Sequence, residues 1–94
     1  MTSNEILLQN LVSRVTALMD QSQTELAQNT RGNAESARAK VSEAYKTLIA
    51  APEISKSDAQ WIGAAGIYKS RLKGMDFRFA EFGILFNKNT YNPS

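Results

Sequence analysis

The stretch WIGAAGIYKSRLKGMDFRFAEFGILF, residues 61–86, decides the fold. Taken every third or fourth residue it gives Trp61, Ala65, Tyr68, Leu72, Met75, Phe79, Phe82 and Phe86, in steps of 4, 3, 4, 3, 4, 3 and 4. A helix turns about 100° per residue, so side chains at this spacing share one side of an α-helix. Aromatic rings dominate the row, and it carries much of the apolar area the chain has to bury. Trp61, Leu72, Met75, Phe79, Phe82 and Phe86 are the predicted core, with the Trp61 indole N–H reaching a loop carbonyl.

The other side of the same predicted helix reads Gly63, Gly66, Ile67, Ser70, Gly74, Phe77, Ile84 and Leu85. Glycine inside a helix costs roughly 0.5–1 kcal/mol relative to alanine. Three of them within twelve residues is a large local cost unless something occupies the groove they make. A helix that is apolar on two sides is buried on two sides. Gly63, Gly66, Ile67, Ser70, Gly74 and Phe77 are therefore predicted to form an interface with a second copy of the chain, against its third or its first helix, or with another protein; a monomeric three-helix bundle that tolerates the glycines is the plainer reading.

Working outward, Thr2-Ser3-Asn4-Glu5 reads as a capping box that starts a first helix of about 25 residues. Its apolar stripe is Leu8, Val12, Val15, Met19, Ser22 and Leu26, widened by Leu11 and Leu18. The segment 29–33 interrupts the pattern, with Gly32 suited to the left-handed position and Asn33 to the next N-cap. A second helix over residues 34–51 buries Ala37, Val41, Ala44 and Leu48, and Pro52 ends it. Ser55 or Ser57 then caps the third helix, which is predicted to continue to Asn87. The expectation is an all-α protein of three helices, the last two an antiparallel helical hairpin, completed by self-association. Residues 1–87 are read as one domain and residues 88–94 as a polar, flexible tail.

Composition narrows the chemistry. Ninety-four residues without cysteine or histidine hold no disulfide, no thiolate metal site and no imidazole base. No metal and no cofactor is predicted. The formal net charge of +2 is too small to argue for nucleic acid by itself. No apolar run approaches the roughly 18 residues of a membrane span. Glu5 stands where a secretory leader carries basic residues, so the default location is cytoplasmic, with signal-less export as the other route.

One cluster mixes cations with aromatics: Tyr68, Lys69, Arg71, Lys73 and Arg78 are the candidate ligand-binding residues, flanked by Phe77 and Lys88. Such mixtures hold phosphates by charge and bases by stacking. Asp76 and Glu81 partly neutralise the patch, and a solvated basic flank is the plainer reading. Glu35–Arg38 and Glu43–Lys46 read as surface pairs three residues apart.

Trp61-Ile62-Gly63 resembles the Trp-x-Gly turn of the WXG family of small secreted hairpins, but the motif lies inside a helix pattern here. Pro52, Ala59 and Tyr68 resemble type III secretion needle subunits, without the second proline of that turn. Pro52, Trp61, Gly66, Met75 and Arg78 resemble, in order and with shifted spacing, the helical hairpin of small phage proteins that sequester cyclic nucleotides as oligomers. That resemblance covers the second half of the chain and implies a nucleotide held between protomers. The residues themselves favour a non-enzymatic, self-assembling interaction or structural module. The alternative is a small homo-oligomer that binds an anionic ligand such as a nucleotide, cyclic nucleotide or nucleic acid.

Overall fold

The computed structural model describes residues 3–93. In chain order it runs α1 (Ser3–Leu26), α2 (Arg31–Ile49), a 3-10 turn (Glu53–Ser57), α3 (Ala59–Glu81) and a short α4 (Lys88–Tyr91). The fold is all-α, with no strand among the described residues. The bundle measures 43 × 23 × 17 Å.

The periodic stripes become the core. α1 buries Leu8, Val15, Leu18, Met19 and Leu26, and α2 buries Ala34, Ala37, Val41, Ala44 and Leu48. α3 adds Trp61, Ala64, Tyr68, Leu72, Met75 and Phe79. α1 is the element on which both others pack most extensively; α2 and α3 touch each other much less. Alanines along α2 let α1 come close. Ser22, within the apolar stripe of α1, is fully buried and donates its hydroxyl to the Ala37 carbonyl at 3.0 Å. The hydrogen bond offsets the cost of a polar group at that contact.

The joints differ in detail from the sequence reading. The break after α1 is present, but Asn29 rather than Gly32 takes the left-handed conformation, at φ 60°. Asparagine tolerates that region better than other residues with a side chain. Thr30 caps α2, accepting from the Asn33 amide at 3.2 Å, and Gly32 falls inside the first turn. The predicted Thr2 cap lies outside the described residues. Asp58, not Ser55 or Ser57, caps α3 by accepting from the Gln60 amide at 2.8 Å.

α3 stops at Glu81, not at Asn87. Gly83 has φ 75°, its amide donates to the Ala80 carbonyl at 2.9 Å, and the Ile84 amide reaches back to the Phe79 carbonyl at 3.1 Å. These two bonds are a Schellman motif, which turns the chain off the helix axis. The turn moves Ile84 from the expected outward row into the core and leaves Leu85 exposed. Phe82 and Phe86 end half-buried beyond the helix, with Phe86 edge-on to Phe79 at 5.1 Å between centroids. The expected frayed or extended end is instead a short helix with Asn87 as its N-cap. The Tyr68 hydroxyl donates to the Thr90 carbonyl at 2.7 Å, and Tyr91 packs on Phe86.

Candidate functional site

The outward side of α3 is left largely exposed by the rest of the bundle. Gly63, Gly66, Ser70, Gly74 and Phe77 are all exposed, and Ile67 is half-buried at its edge. Phe77 is 79% exposed and Ile62 56%. A Cβ built on Gly63, Gly66 or Gly74 meets nothing within 4 Å. The glycines are therefore not required by close packing inside the protomer. Gly66 borders a groove of about 370 Å³ walled by Trp61, Ile62, Ala65, Lys69 and the chain end at Asn92 and Pro93. Gly74 borders a shallower one of about 150 Å³ against Gln23, Leu26 and Ala27 of α1.

The five candidate ligand residues do not converge on one surface. Tyr68 is fully buried, its ring tilted against Tyr45 at 6.3 Å, so it is a core residue and has no face for a stacked base. Burial pushes its phenol well above the ordinary tyrosine range, with a smaller push from Tyr45 and Tyr91. Arg71 is held by α1: its guanidinium pairs with Asp20 and donates to Gln23 at 3.2 Å. Arg78 donates to the Asn29 side chain at 3.2 Å and pairs with Glu81 at 3.8 Å. Lys69 and Lys73 lie on the other flank, exposed and without an ion pair among the described residues.

The remaining charges tie helices together. Glu43 pairs with Arg14 of α1 at 3.6 Å rather than with Lys46, while Glu35 and Arg38 pair as predicted at 3.1 Å. Lys40 reaches across to Glu25 of α1. That ammonium group, helped by Ser36, holds the Glu25 carboxyl below the usual carboxylate range. Arg31 donates to the Phe82 carbonyl at 3.3 Å, joining the start of α2 to the end of α3. The Trp61 indole N–H finds the Leu48 carbonyl at 3.1 Å, in the last turn of α2 rather than in a loop. Burial raises the Tyr91 phenol to about 12, reinforced by a hydrogen bond to the Asp76 carboxylate and its charge.

Among the described residues no three carboxylates gather in a metal-binding group, and no helix is long and apolar enough to cross a membrane. Comparison with family models, with curated proteins and with solved structures finds no match to this chain.

Proposed function

We propose that the chain is a non-enzymatic, self-assembling helical module, with the outward face of α3 as its assembly surface. One observation carries the reading. Phe77 and Ile62 stand exposed beside three helical glycines that have open space around them. Inside the protomer those glycines cost helix stability and return no contact. A second helix laid along the row supplies the contact and covers the apolar side chains. The absence of histidine and cysteine from the sequence supports a role without catalysis.

Light-scattering mass of the wild type beside Gly74→Leu tests it. In the protomer the new side chain enters open space, and helix propensity improves by somewhat under about 1 kcal/mol. At an occupied interface the same bulk overpacks by roughly 1–3 kcal/mol. The wild type is expected above protomer mass, and the variant nearer protomer mass with a higher melting temperature. If both run as protomers at millimolar concentration, the reading fails.

The anion-binding alternative rests on Lys69 and Lys73, since the other three candidates are engaged within the protomer. On that reading Lys73→Ala weakens binding of a nucleotide or oligonucleotide in a salt-dependent way. Arg78→Ala acts instead on the contact between α3 and the turn at Asn29 that joins α1 to α2.

A further inference from the structure

We infer that the groove between the 3-10 turn, the first turns of α3 and the chain end is a binding site for a small amphipathic anion, a medium-chain alkyl carboxylate. The inference goes beyond the assembly reading and does not rest on it.

Three elements make the hollow. α3 supplies a floor of Trp61, Ile62, Ala65 and Gly66, and Pro93 of the chain end forms a wall. The C-terminal segment folds back over α3 from Gly83: Ile84 is buried, Phe86 packs on Phe79, and the Thr90 carbonyl accepts from Tyr68. That cover reaches the first turns of α3 only at Asn92 and Pro93, so their apolar floor stays open. The volume, about 370 Å³, lies in the range of small-molecule clefts, roughly 300–1,000 Å³. Its depth depends on Gly66, where an added Cβ meets nothing within 4 Å. The glycine that returns no contact to the protomer thus keeps the hollow open.

Charge chooses the ligand. The ionisable side chains lining the groove are Lys56 from the 3-10 turn and Lys69 from α3; among the described residues no Asp or Glu lines it. Lys69 has no ion pair among the described residues. Lys56 keeps most of its side chain packed, 21% exposed, and its partner Glu53, at 3.5 Å, stands 93% exposed. A surface pair of that kind contributes little, so the rim keeps a positive balance. An apolar floor under a positive rim suits an alkyl body carrying one carboxylate, and the same rim repels an alkyl cation. The floor from position 61 to position 69 rises about 12 Å, the reach of a medium-length chain. A nucleotide has no such apolar body and brings more negative charge than two lysines balance. The groove is open on one side, so a ligand of about a dozen heavy atoms is expected to bind with a Kd on the order of 0.1–1 mM.

Trp61 is the one tryptophan of the sequence and lines the groove, so its fluorescence reports occupancy. Decanoate is titrated into the full chain at low micromolar concentration, with mass read in parallel by light scattering, so that binding and assembly succeed or fail separately. A saturable fluorescence change is expected, with amide shifts centred on residues 56–69 and 92–93. Decyltrimethylammonium, with the same alkyl chain and the opposite charge, should bind at least tenfold more weakly. Gly66→Leu fills the hollow and should weaken decanoate at least tenfold without lowering the melting temperature. Lys69→Glu should weaken it about fivefold, and added salt should weaken the wild type in the same direction. The inference is overturned if decanoate leaves the spectra unchanged at several millimolar, if the cation binds as well as the anion, or if folded Gly66→Leu binds decanoate like the wild type.

Discussion

The two faces of α3 are built on opposite terms. The inward face packs Trp61, Tyr68, Leu72 and Phe79 at 3% exposure or less. The outward face is a row of glycine and serine with one ring, Phe77, standing 79% exposed. One helix thus carries a side whose bulk holds the protomer together and a side whose lack of bulk contributes nothing to it. The difference teaches that adding or removing volume should have opposite signs on the two faces. Aromatic content alone does not say which ring matters, since Phe77 and Phe79 are two positions apart.

The largest expected effect tests that pair. Phe79→Ala leaves a cavity between α3 and Phe86 and should cost about 3–5 kcal/mol, enough to unfold much of so small a domain. Phe77→Ala should change protomer stability by under about 0.5 kcal/mol. Urea melts of both at low concentration read the difference directly, and equal losses would erase the distinction between the faces.

Next in size is the alkaline limit of the inward face. Tyr68 and Tyr91 both have phenols held above the ordinary value of 10.0, Tyr91 at about 12. Below pH 10 folded and unfolded chains are both neutral there, so the stabilisation is complete. Above it the unfolded chain ionises first, and stability falls as pH rises toward and past 12. Tyr68→Phe should flatten that fall while costing about 1 kcal/mol at neutral pH through the lost bond to Thr90. A pH series of urea midpoints, wild type against variant, measures both; parallel curves would mean that Tyr68 does not govern the limit.

Much of the inward face was legible in the sequence, because the 3.6-residue period survives wherever a helix buries one side. Trp61, Leu72, Met75 and Phe79 followed from spacing alone. The end of α3 did not, because Phe82 and Phe86 continue the spacing through a turn. The clue was Gly83 followed by Ile84, a glycine and an apolar residue in the order a Schellman motif uses. The same ambiguity hid Ile84, assigned outward by counting along a helix that had already stopped. The partners of the charged candidates were hidden for another reason. Arg71 and Arg78 find their partners in Asp20, Gln23 and Asn29, some fifty residues earlier, and no local pattern announces such a pairing.

A smaller effect of opposite sign sharpens the outward side. Gly66→Ala adds a methyl to open space and should stabilise the protomer by about 0.5–1 kcal/mol. A gain of that size raises the melting temperature by roughly 2–8 °C in a domain of this length. A loss instead, measured at protomer concentrations, would mean that the face is closed within the protomer.

The smallest effect belongs to neither face of α3 and serves as a baseline. Glu25 has its carboxyl lowered by Lys40, so its contribution is present above the ordinary value of 4.5 and lost as pH falls below it. Glu25→Gln should remove that part of the acid dependence and cost about 0.2–1 kcal/mol at pH 7. Calorimetry at pH 3 and pH 7 compares the two; an unchanged acid slope would assign it to other carboxylates.

The hydrogen bond from Tyr68 to Thr90 makes the chain end part of the machinery that keeps the middle of α3 dry. A phenol with no water around it is only tolerable while its acceptor stays put, and that acceptor arrives from twenty-two residues downstream. Trimming the chain after Asn87 would therefore act at a distance, stranding a donor at the centre of the bundle. The last few residues, polar and unremarkable to read, behave as a latch whose keeper is buried in another helix.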